Sequence, residues 1–309
     1  MKVSVVMSVY NEKISWLRES VDSIMNQTYS DFEFIVVIDN PNLSSDCVDF
    51  LESVASKDKR VVLIYNKENM GLARSLNKGI DISRGQFIMR MDADDVSFPT
   101  RFREQMDYLD SHTCDMVATN ICFIDENSDL IGYSEDRPEN PERHLLYSNI
   151  IPHPTVLIKK SAITNVGGYR NFKRSQDYDL WLRLLSSGYK IRIINKPLLK
   201  YRLRTTSISS RGPLEQYYTN LYQKSLFKER AKKGHDSFSL ENFEAFLTKK
   251  KITVGKEKRF EKAMDNLNKA KRSIASKKIA FVYFYIKCFF AFPSVAVNGF
   301  FNYCKKRAL

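Results

Sequence analysis

The stretch that decides the fold is Gln86–Asp95, which reads QFIMRMDADD. An apolar run typical of a strand is followed by three carboxylates within four residues, Asp92, Asp94 and Asp95. Carboxylates at the end of a strand place hard oxygen ligands at the carboxyl edge of a sheet, where open α/β sheets bind their ligands. Such oxygens suit Mg²⁺ or Mn²⁺, which commonly bridge to substrate phosphates. The stretch therefore predicts a site for a phosphorylated small molecule, and the alternative is an acidic turn in water.

Apolar runs alternate with helical patterns in the residues that precede this stretch. We predict strands at Val3–Val9, Phe32–Ile38 and Val61–Tyr65, and helices at 14–27, 44–56 and Leu72–Ile82. With the strand at 86–91 they make four strand–helix units in series, a pattern typical of a parallel sheet with right-handed crossovers. The near-continuous apolar run at Phe32–Ile38 indicates a sheet covered on both faces. The predicted fold class is therefore α/β, with a mostly parallel sheet between helices.

The order of elements changes beyond Pro99. We predict a helix at 100–111, strands at Met116–Ile124 and Thr155–Ile158, a helix at Asp177–Ser187, and short strands at Ile191–Ile194 and Leu198–Leu203. Three domains follow from the pattern: an α/β domain at 1–210, a basic helical extension at 211–276, and an aromatic segment at 277–309.

Composition narrows the class of protein. The five cysteines are scattered without a CxxC pair, which argues against a disulfide framework or a zinc site and favours a reducing compartment. The first apolar run, Val3–Val9, is too short for a secretory signal and lacks a small-residue cleavage site. We therefore expect the α/β domain to stay in the cytoplasm.

The net charge of +13 is concentrated at the end of the chain. Residues 224–309 hold 21 Lys and Arg against 7 Asp and Glu, a net of +14, whereas residues 1–223 hold 28 against 29, a net of −1. A cationic segment beside a balanced domain predicts a polyanionic partner, either nucleic acid or an anionic membrane.

The aromatic segment favours the membrane. Residues 279–303 are strongly apolar, are interrupted by Lys287 and Pro293, and contain no uncharged run of eighteen residues. Basic residues flank both ends, which by the positive-inside rule favours an in-plane or re-entrant segment over a spanning helix. The alternative is a C-terminal core helix of a soluble protein.

Three further groups of polar residues share the predicted edge of the sheet. The first strand ends in Ser8-Val9-Tyr10-Asn11-Glu12, the second is followed by Asp39, and Asn69-Met70-Gly71 follows the third. Asp39 could accept a hydrogen bond from a base or a ribose, and the ring of Tyr10 could stack on a base. Taken singly, each group could instead be an ordinary turn or helix cap.

Together these motifs, with Arg74, Asn77 and the dipeptide Gln176-Asp177 that opens a later helix, resemble family 2 glycosyltransferases. The resemblance covers about residues 1–210 and implies the GT-A fold, a compact α/β domain. It is to the non-processive bacterial members that build capsule, O-antigen and other surface glycans. The chain departs from the usual pattern at Ser8, Ile38, Gln176 and Arg204, where relatives often have Pro, Asp, Glu and His.

The resemblance implies a role for each matching residue. Asp177 corresponds to the catalytic base, Asp94 to a metal ligand, and Asp92 to a carboxylate near the ribose and the metal. Asp39 corresponds to the contact with uracil. The remaining positions expected to bind the nucleotide are Ser8, Tyr10, Glu12, Asn69, Arg74 and Ala93. Arg204 could grip the diphosphate or be an exposed strand charge, and His153 could orient the acceptor or be structural.

The function implied is inverting, metal-dependent transfer of a hexose, with glucose or galactose favoured, from a UDP-sugar. The cofactor would be Mn²⁺ or Mg²⁺. The acceptor would be a glycan on a polyprenyl diphosphate at the cytoplasmic face of the inner membrane, reached through the C-terminal tail. The alternatives are a non-catalytic protein that binds sugar nucleotides, and a protein that binds nucleic acid through the basic tail. Because apolar residues follow the basic ones, we expect no nucleic-acid partner.

Overall fold

The structure, a computed structural model, describes residues 2–204, 212–273 and 278–299. The chain divides into two units, Met1–Thr205 and Thr206–Leu309. The predicted boundary at residue 210 lies outside the described residues, as do Lys277 and residues 300–309 of the predicted aromatic segment.

A nine-stranded sheet forms the centre of the first unit. Its strands are β1 (Val3–Val9), β2 (Phe32–Ile38), β3 (Val61–Tyr65), β4 (Phe87–Asp92), β5 (Val96–Ser97), β6 (Met116–Ile124), β7 (Leu130–Tyr133), β8 (Leu157–Lys159) and β9 (Ile191–Arg202). They lie in the order β3-β2-β1-β4-β8-β6-β9-β5, with β7 paired to β6. The first four strands are parallel, and antiparallel β8 joins them to the parallel pair of β6 and β9.

Helices cover both faces of this sheet. The helices of the first unit are α1 (Ile14–Met25), α2 (Ser45–Lys57), α3 (Leu72–Ile82), α4 (Arg101–Ser111), α5 (Glu142–Leu145), α6 (Lys160–Asn165) and α7 (Gln176–Ser186). Residues of α1, α2 and α4 share one core with Val5 and Met7 of β1. The intervening residue Val6 faces α3, where a Cβ on Gly79 would meet its Cγ1 at 2.6 Å. The predicted α/β fold, with helices on both sides, is therefore confirmed.

Two predicted strands near the end of the first unit form one strand. β9 is continuous through Pro197, and its register against β6 shifts on both sides of Asn120, the residue opposite Pro197. A β-bulge tolerates proline because the missing N–H is not needed in the ladder there. The predicted strand at Thr155–Ile158 also differs, since a 3-10 turn occupies His153–Thr155 and β8 begins at Leu157.

The second unit is helical and has a core of its own. Its helices are α8 (Pro213–Lys233), α9 (Leu240–Lys250), α10 (Val254–Ser273) and α11 (Lys278–Ala291). The buried residues of this core are Leu214, Tyr218, Phe260, Ala263, Leu267, Cys288, Phe292, Val295 and Ala296. Part of the predicted aromatic segment therefore packs against α8 and α10. Within the described residues, no helix combines the length and the apolar character needed to cross a membrane.

Candidate active site

The carboxyl ends of β1, β2 and β4 lie side by side. The parallel register pairs Val9 with Ile38 and Ser8 with Asp92. Tyr10 and Asp39 each follow the last residue of their strand. Residues predicted to bind the nucleotide thus come from three strands to one edge of the sheet, where open α/β sheets bind ligands.

Asp39 organises the loop that precedes α3. Its Oδ1 accepts hydrogen bonds from Asn66 Nδ2 and from the backbone N–H of Met70, both at 2.8 Å, and its Oδ2 accepts the N–H of Gly71 at 2.9 Å. Asn69 Oδ1 accepts the same N–H of Gly71 at 3.0 Å, and Gly71 has a φ of +82°. A carboxylate has about four acceptor positions, so buried Asp39 retains acceptor capacity while it holds the loop.

Tyr10 and Glu12 form a second part of the edge. Glu12 Oε2 accepts the backbone N–H groups of Tyr10 and Asn11 at 2.9 and 3.1 Å, which fixes the turn after β1. The side chain of Tyr10 is half-exposed. Arg74 is exposed on the first turn of α3. Burial raises the pKa of Glu12, and the backbone N–H of Tyr10 and the charge of Arg204 oppose that rise.

Three carboxylates converge at the end of β4. Oxygens of Asp92, Asp94 and Asp95 lie within 4.8 Å of one another. Asp92 forms an ion pair with Arg90, and Asp94 Oδ2 lies 2.8 Å from Arg204 Nε. Asp95 is buried, and its Oδ1 accepts the backbone N–H of Arg202 at 2.9 Å. The turn that also contains Ala93 is thus held by the carboxylates on one side and by β9 on the other.

The crowding of these carboxylates shapes their electrostatics. Burial, with the nearby charge of Asp92, raises the pKa of Asp94 to about 7 although Arg204 opposes the rise. Burial and the charges of Asp94 and Asp92 raise the pKa of Asp95 well above its ordinary value. Like charges that are withdrawn from water favour either protonation or a bound cation. The cluster is therefore a place where positive charge is stabilised.

The donor set fits a divalent metal ion. The three aspartates offer the hard carboxylate oxygens that Mg²⁺ and Mn²⁺ prefer. Asp95 Oδ2 is buried and accepts no hydrogen bond from the described residues, so it retains a free acceptor position beside the other two carboxylates. These residues could hold a dication that offsets their mutual repulsion.

Two buried arginines hold the cluster, and the sequence patterns did not single them out. Arg202 is buried, donates through Nε to the carbonyl oxygen of Asp94 at 2.8 Å, and pairs with Glu19 at 2.7 Å. Arg90 is also buried, and its Nε and Nη1 have no hydrogen-bond partner among the described residues. Its charge opposes the rise in the pKa of both Asp94 and Asp177. Arg90 thus lies within electrostatic range of both predicted reaction groups.

Asp177 occupies the first turn of α7. It is half-buried, and its Oδ2 accepts a hydrogen bond from Asn149 Nδ2 at 2.7 Å. Burial raises the pKa of Asp177, whereas the Asn149 hydrogen bond and the positive charge of Arg90 oppose that rise. The helix N-terminus favours the ionised carboxylate as well. Asn149 lies in a loop without a motif, so no signal in the sequence identified it.

His153 contacts aromatic residues of the same unit. Its Nε2 lies 2.8 Å from the hydroxyl oxygen of Tyr169, and its ring packs edge-on against Tyr169 and Trp181. Burial, with the charge of Arg90, lowers the pKa of His153 well below its ordinary value, which favours the neutral imidazole. Asn77 exchanges two hydrogen bonds of 2.8 Å with the backbone of Tyr169. The turn at 167–169 is therefore anchored to α3.

Comparison with known proteins agrees with this geometry. The pattern of the family described as "Glycosyl transferase family 2" matches residues 4–179. An uncharacterized glycosyltransferase of Methanocaldococcus jannaschii is 37% identical over 227 residues, covering 70% of this chain and 77% of that protein. The O-antigen biosynthesis glycosyltransferase WbnJ of Escherichia coli is 36% identical over 211 residues, covering 66% of this chain and 81% of its own length.

Solved structures show the same fold. The crystal structure of S. aureus TarS 1-349 in complex with UDP-GlcNAc superposes with a TM-score of 0.64 at 14% identity, covering 96% of this chain and 90% of that one. This likeness concerns the fold alone, and it agrees with the GT-A architecture. The family pattern and the curated relatives together show that the chain belongs to glycosyltransferase family 2.

Proposed function

We propose that this glycosyltransferase inverts the anomeric centre of a hexose, glucose or galactose by preference, as it moves the sugar from UDP to an alcohol. The observation that carries the proposal is the cluster of Asp92, Asp94 and Asp95 at the edge of the sheet, with Asp177 in the electrostatic range of the same Arg90. One group of acids thus suits a diphosphate–metal complex, and a separate acid suits a proton transfer.

The donor would bind along the edge of the sheet. Asp39 has acceptor capacity for the imide N–H of uracil, and Tyr10 offers a half-exposed ring for stacking. We propose that Ser8, Glu12, Asn69 and Arg74 line the same edge. Arg204, whose side chain is mostly buried beside Asp94, is placed to share its positive charge with a diphosphate. These contacts support a nucleoside diphosphate, and UDP is the one proposed.

A divalent ion, proposed as Mn²⁺ or Mg²⁺ on Asp94 and Asp92, would supply charge stabilisation for the departing diphosphate. Asp177 would accept the proton of the attacking hydroxyl as the new carbon–oxygen bond forms. The bond between the anomeric carbon and the phosphate oxygen breaks, and its electron pair leaves with UDP. Base assistance of this kind is worth about 10²–10⁴-fold in rate.

We propose as the acceptor a glycan on a polyprenyl diphosphate at the cytoplasmic face of the inner membrane. The support is twofold: the Escherichia coli relative is named for O-antigen biosynthesis, and the tail of this chain combines a net charge of +14 with exposed aromatic residues. A lipid-borne acceptor favours an enzyme that is held at the membrane surface.

The test is a screen of UDP-glucose, UDP-galactose, UDP-GlcNAc and GDP-mannose for release of the nucleoside diphosphate with Mn²⁺. Asp177→Asn is expected to lower kcat by about 10²–10⁴-fold while Mn²⁺-dependent binding of UDP persists. Asp94→Asn is expected to weaken that binding itself. Asp81→Asn, an exposed change on α3, is the control.

The split between the two variants decides between functions. If UDP binds but no donor is turned over, and Asp177→Asn matches the parent, the chain is a sugar-nucleotide-binding protein and not an enzyme. If Asp94→Asn binds UDP and Mn²⁺ like the parent, the carboxylate cluster is not the metal site.

A further inference from the structure

The helix α11 is largely apolar, and among its described side chains those on one side are packed while those on the other are exposed. Its packed side carries Cys288, and the residues after it add Phe292 and Val295 to the core of the second unit. Phe292 meets Phe260 of α10 edge-on at 5.5 Å. The Tyr285 hydroxyl donates to the carbonyl oxygen of Ala296 at 2.8 Å, which ties α11 to the chain that follows it.

The opposite side of α11 exposes large hydrophobic residues to water. These residues, called here the apolar stripe, are Val282, Tyr283, Ile286, Phe289 and Phe290. Their spacing of three and four residues places them on one side of a helix. Phe290 is 81% exposed, and Val297 beyond the helix is exposed as well. A contiguous exposed apolar surface of this kind marks an interaction site.

We propose that the apolar stripe is a membrane-inserting face that lies in the plane of an anionic bilayer while the second unit stays folded. This inference rests on the membrane part of the proposed function and deepens it by naming the face. It also decides the orientation of the segment, which the sequence left open between an in-plane and a re-entrant arrangement.

The length of α11 supports an in-plane helix. Its 14 residues extend about 21 Å at 1.5 Å per residue, whereas the hydrocarbon core of a bilayer is about 30 Å thick. A helix that packs one side on protein and offers the other side to lipid needs to reach only about 5–10 Å below the headgroups. Aromatic residues such as Tyr283 are favoured at that depth.

Charge selects the bilayer over a second copy of the chain. Residues 224–309 carry a net charge of +14, so two tails brought face to face would repel each other. Lys287 borders the stripe and lies 4.3 Å above the Tyr283 ring, where its ammonium group could meet a lipid phosphate. A nucleic-acid duplex would be attracted by the same charge, but its phosphate-lined outer surface offers no apolar area to cover Ile286 or Phe290.

Point substitutions test this face better than a deletion. Deleting residues 277–309 would remove Cys288, Phe292 and Val295 from a buried core and could unfold the unit. Ile286→Ser with Phe290→Ser changes only exposed side chains. The matched control is Leu240→Ser with Val254→Ser, because both are exposed apolar residues of the same unit outside the stripe.

The experiment is flotation of the full chain with vesicles of phosphatidylcholine alone or mixed with phosphatidylglycerol, at low and high salt. The parent and the control pair are expected to float with the anionic vesicles and to be partly retained at high salt. The stripe pair is expected to lose about tenfold or more of its partition, since two large side chains no longer leave water. In the variant Phe290→Trp, the fluorescence of the added tryptophan is expected to shift to shorter wavelength when anionic vesicles are present, and to be quenched by brominated lipid.

Equal flotation of the stripe pair and the control pair would overturn the inference, because lysine adsorption alone would then explain the binding. A parent that is dimeric by sedimentation, becomes monomeric in the stripe pair and ignores vesicles would overturn it in favour of a second copy. UDP release without vesicles is expected to be unchanged in the stripe pair. If Asp177→Asn loses UDP release but still floats with the anionic vesicles, a failure of catalysis is separated from a failure of this inference.

Discussion

At the scale of single residues, each carboxylate of the cluster at the end of β4 contacts an arginine. Asp92 forms an ion pair with Arg90, and Asp94 forms one with Arg204. Asp95 accepts a hydrogen bond from the backbone N–H of Arg202. The charge of Arg204 opposes the rise in the pKa of Asp94 that burial causes, and the backbone N–H of Arg202 opposes the rise in the pKa of Asp95. The arrangement keeps acidic groups available for ligands in a partly dry environment.

Asn149 provides a residue-scale prediction about pH. Its amide donates to the Asp177 carboxylate and thereby opposes the rise in the pKa of Asp177 caused by burial. A base acts in its ionised form, so kcat/KM falls as the pH drops through the pKa of Asp177. Asn149→Ala removes a hydrogen bond to the charged form, and the fall is therefore expected to begin at a higher pH than in the parent.

The measurement is the pH profile of kcat/KM for UDP release, with Asn165→Ala as the control because that exposed amide contacts Tyr189 instead. At alkaline pH the Asn149→Ala profile is expected to approach the parent plateau. An unchanged acid limb with a lower plateau would show that Asn149 positions Asp177 without affecting its protonation.

At the scale of elements, the sequence predicted the regular parts best. β1, β2 and β3 and the helix α3 begin and end at the predicted residues, because their hydrophobic periodicity is uninterrupted. Phe32–Ile38 is buried throughout, as a strand between two helical layers must be. The position of the carboxylates at the end of β4 could be predicted for the same reason, since the direction of the strand alone brings them to the carboxyl edge of the sheet.

Long-range polar contacts could not be predicted in this way. Arg202 bonds to Asp95 and Glu19, which lie 107 and 183 residues away in the chain. Hydrophobic periodicity is a local feature of the sequence and does not indicate such a pair. An arginine on a strand is otherwise expected to face water. The local pattern predicts two strands where β9 is continuous, because the bulge at Pro197 depends on the neighbouring strand β6, which that pattern does not include.

The turn at 167–169 provides an element-scale prediction. It joins α3 to α7, because Asn77 bonds to Tyr169 while Arg183 Nη2 donates to the Gly168 carbonyl oxygen at 2.7 Å. Gly167 and Gly168 both have positive φ, but only a Cβ on Gly168 would meet Asn77 Oδ1, at 2.7 Å. Gly167→Ala is expected to lower the free energy of unfolding by about 1–2 kcal/mol from backbone strain. Gly168→Ala is expected to cost more and to slow UDP release.

Chemical unfolding and UDP release of both variants check this prediction, with Gly132→Ala as the control because that glycine has neither a positive φ nor a close neighbour. Equal losses of unfolding free energy and of UDP release in Gly167→Ala and Gly168→Ala would mean that the hydrogen bonds between Asn77 and the turn do not matter for the site.

At the scale of the whole molecule, charge and hydrophobic core divide the chain at the same place. Residues 1–210 hold 27 Lys and Arg against 28 Asp and Glu, whereas residues 211–309 hold 22 against 8, so the whole of the net positive charge lies in residues 211–309. The buried core around the sheet draws on residues from Val3 to Leu199, and the helical core draws on residues from Leu214 to Ala296.

This division predicts that a chain shortened to residues 1–210 folds and retains the nucleotide site. The shortened chain keeps every residue of the first core and every proposed ligand of UDP and the metal, up to Arg204. We expect one cooperative unfolding transition and Mn²⁺-dependent UDP binding like that of the full chain, measured by calorimetry. With a net charge of −1, it should not float with anionic vesicles. A shortened chain that is soluble but lacks a cooperative transition would contradict the prediction, because the helical unit would then be part of the fold of the sheet.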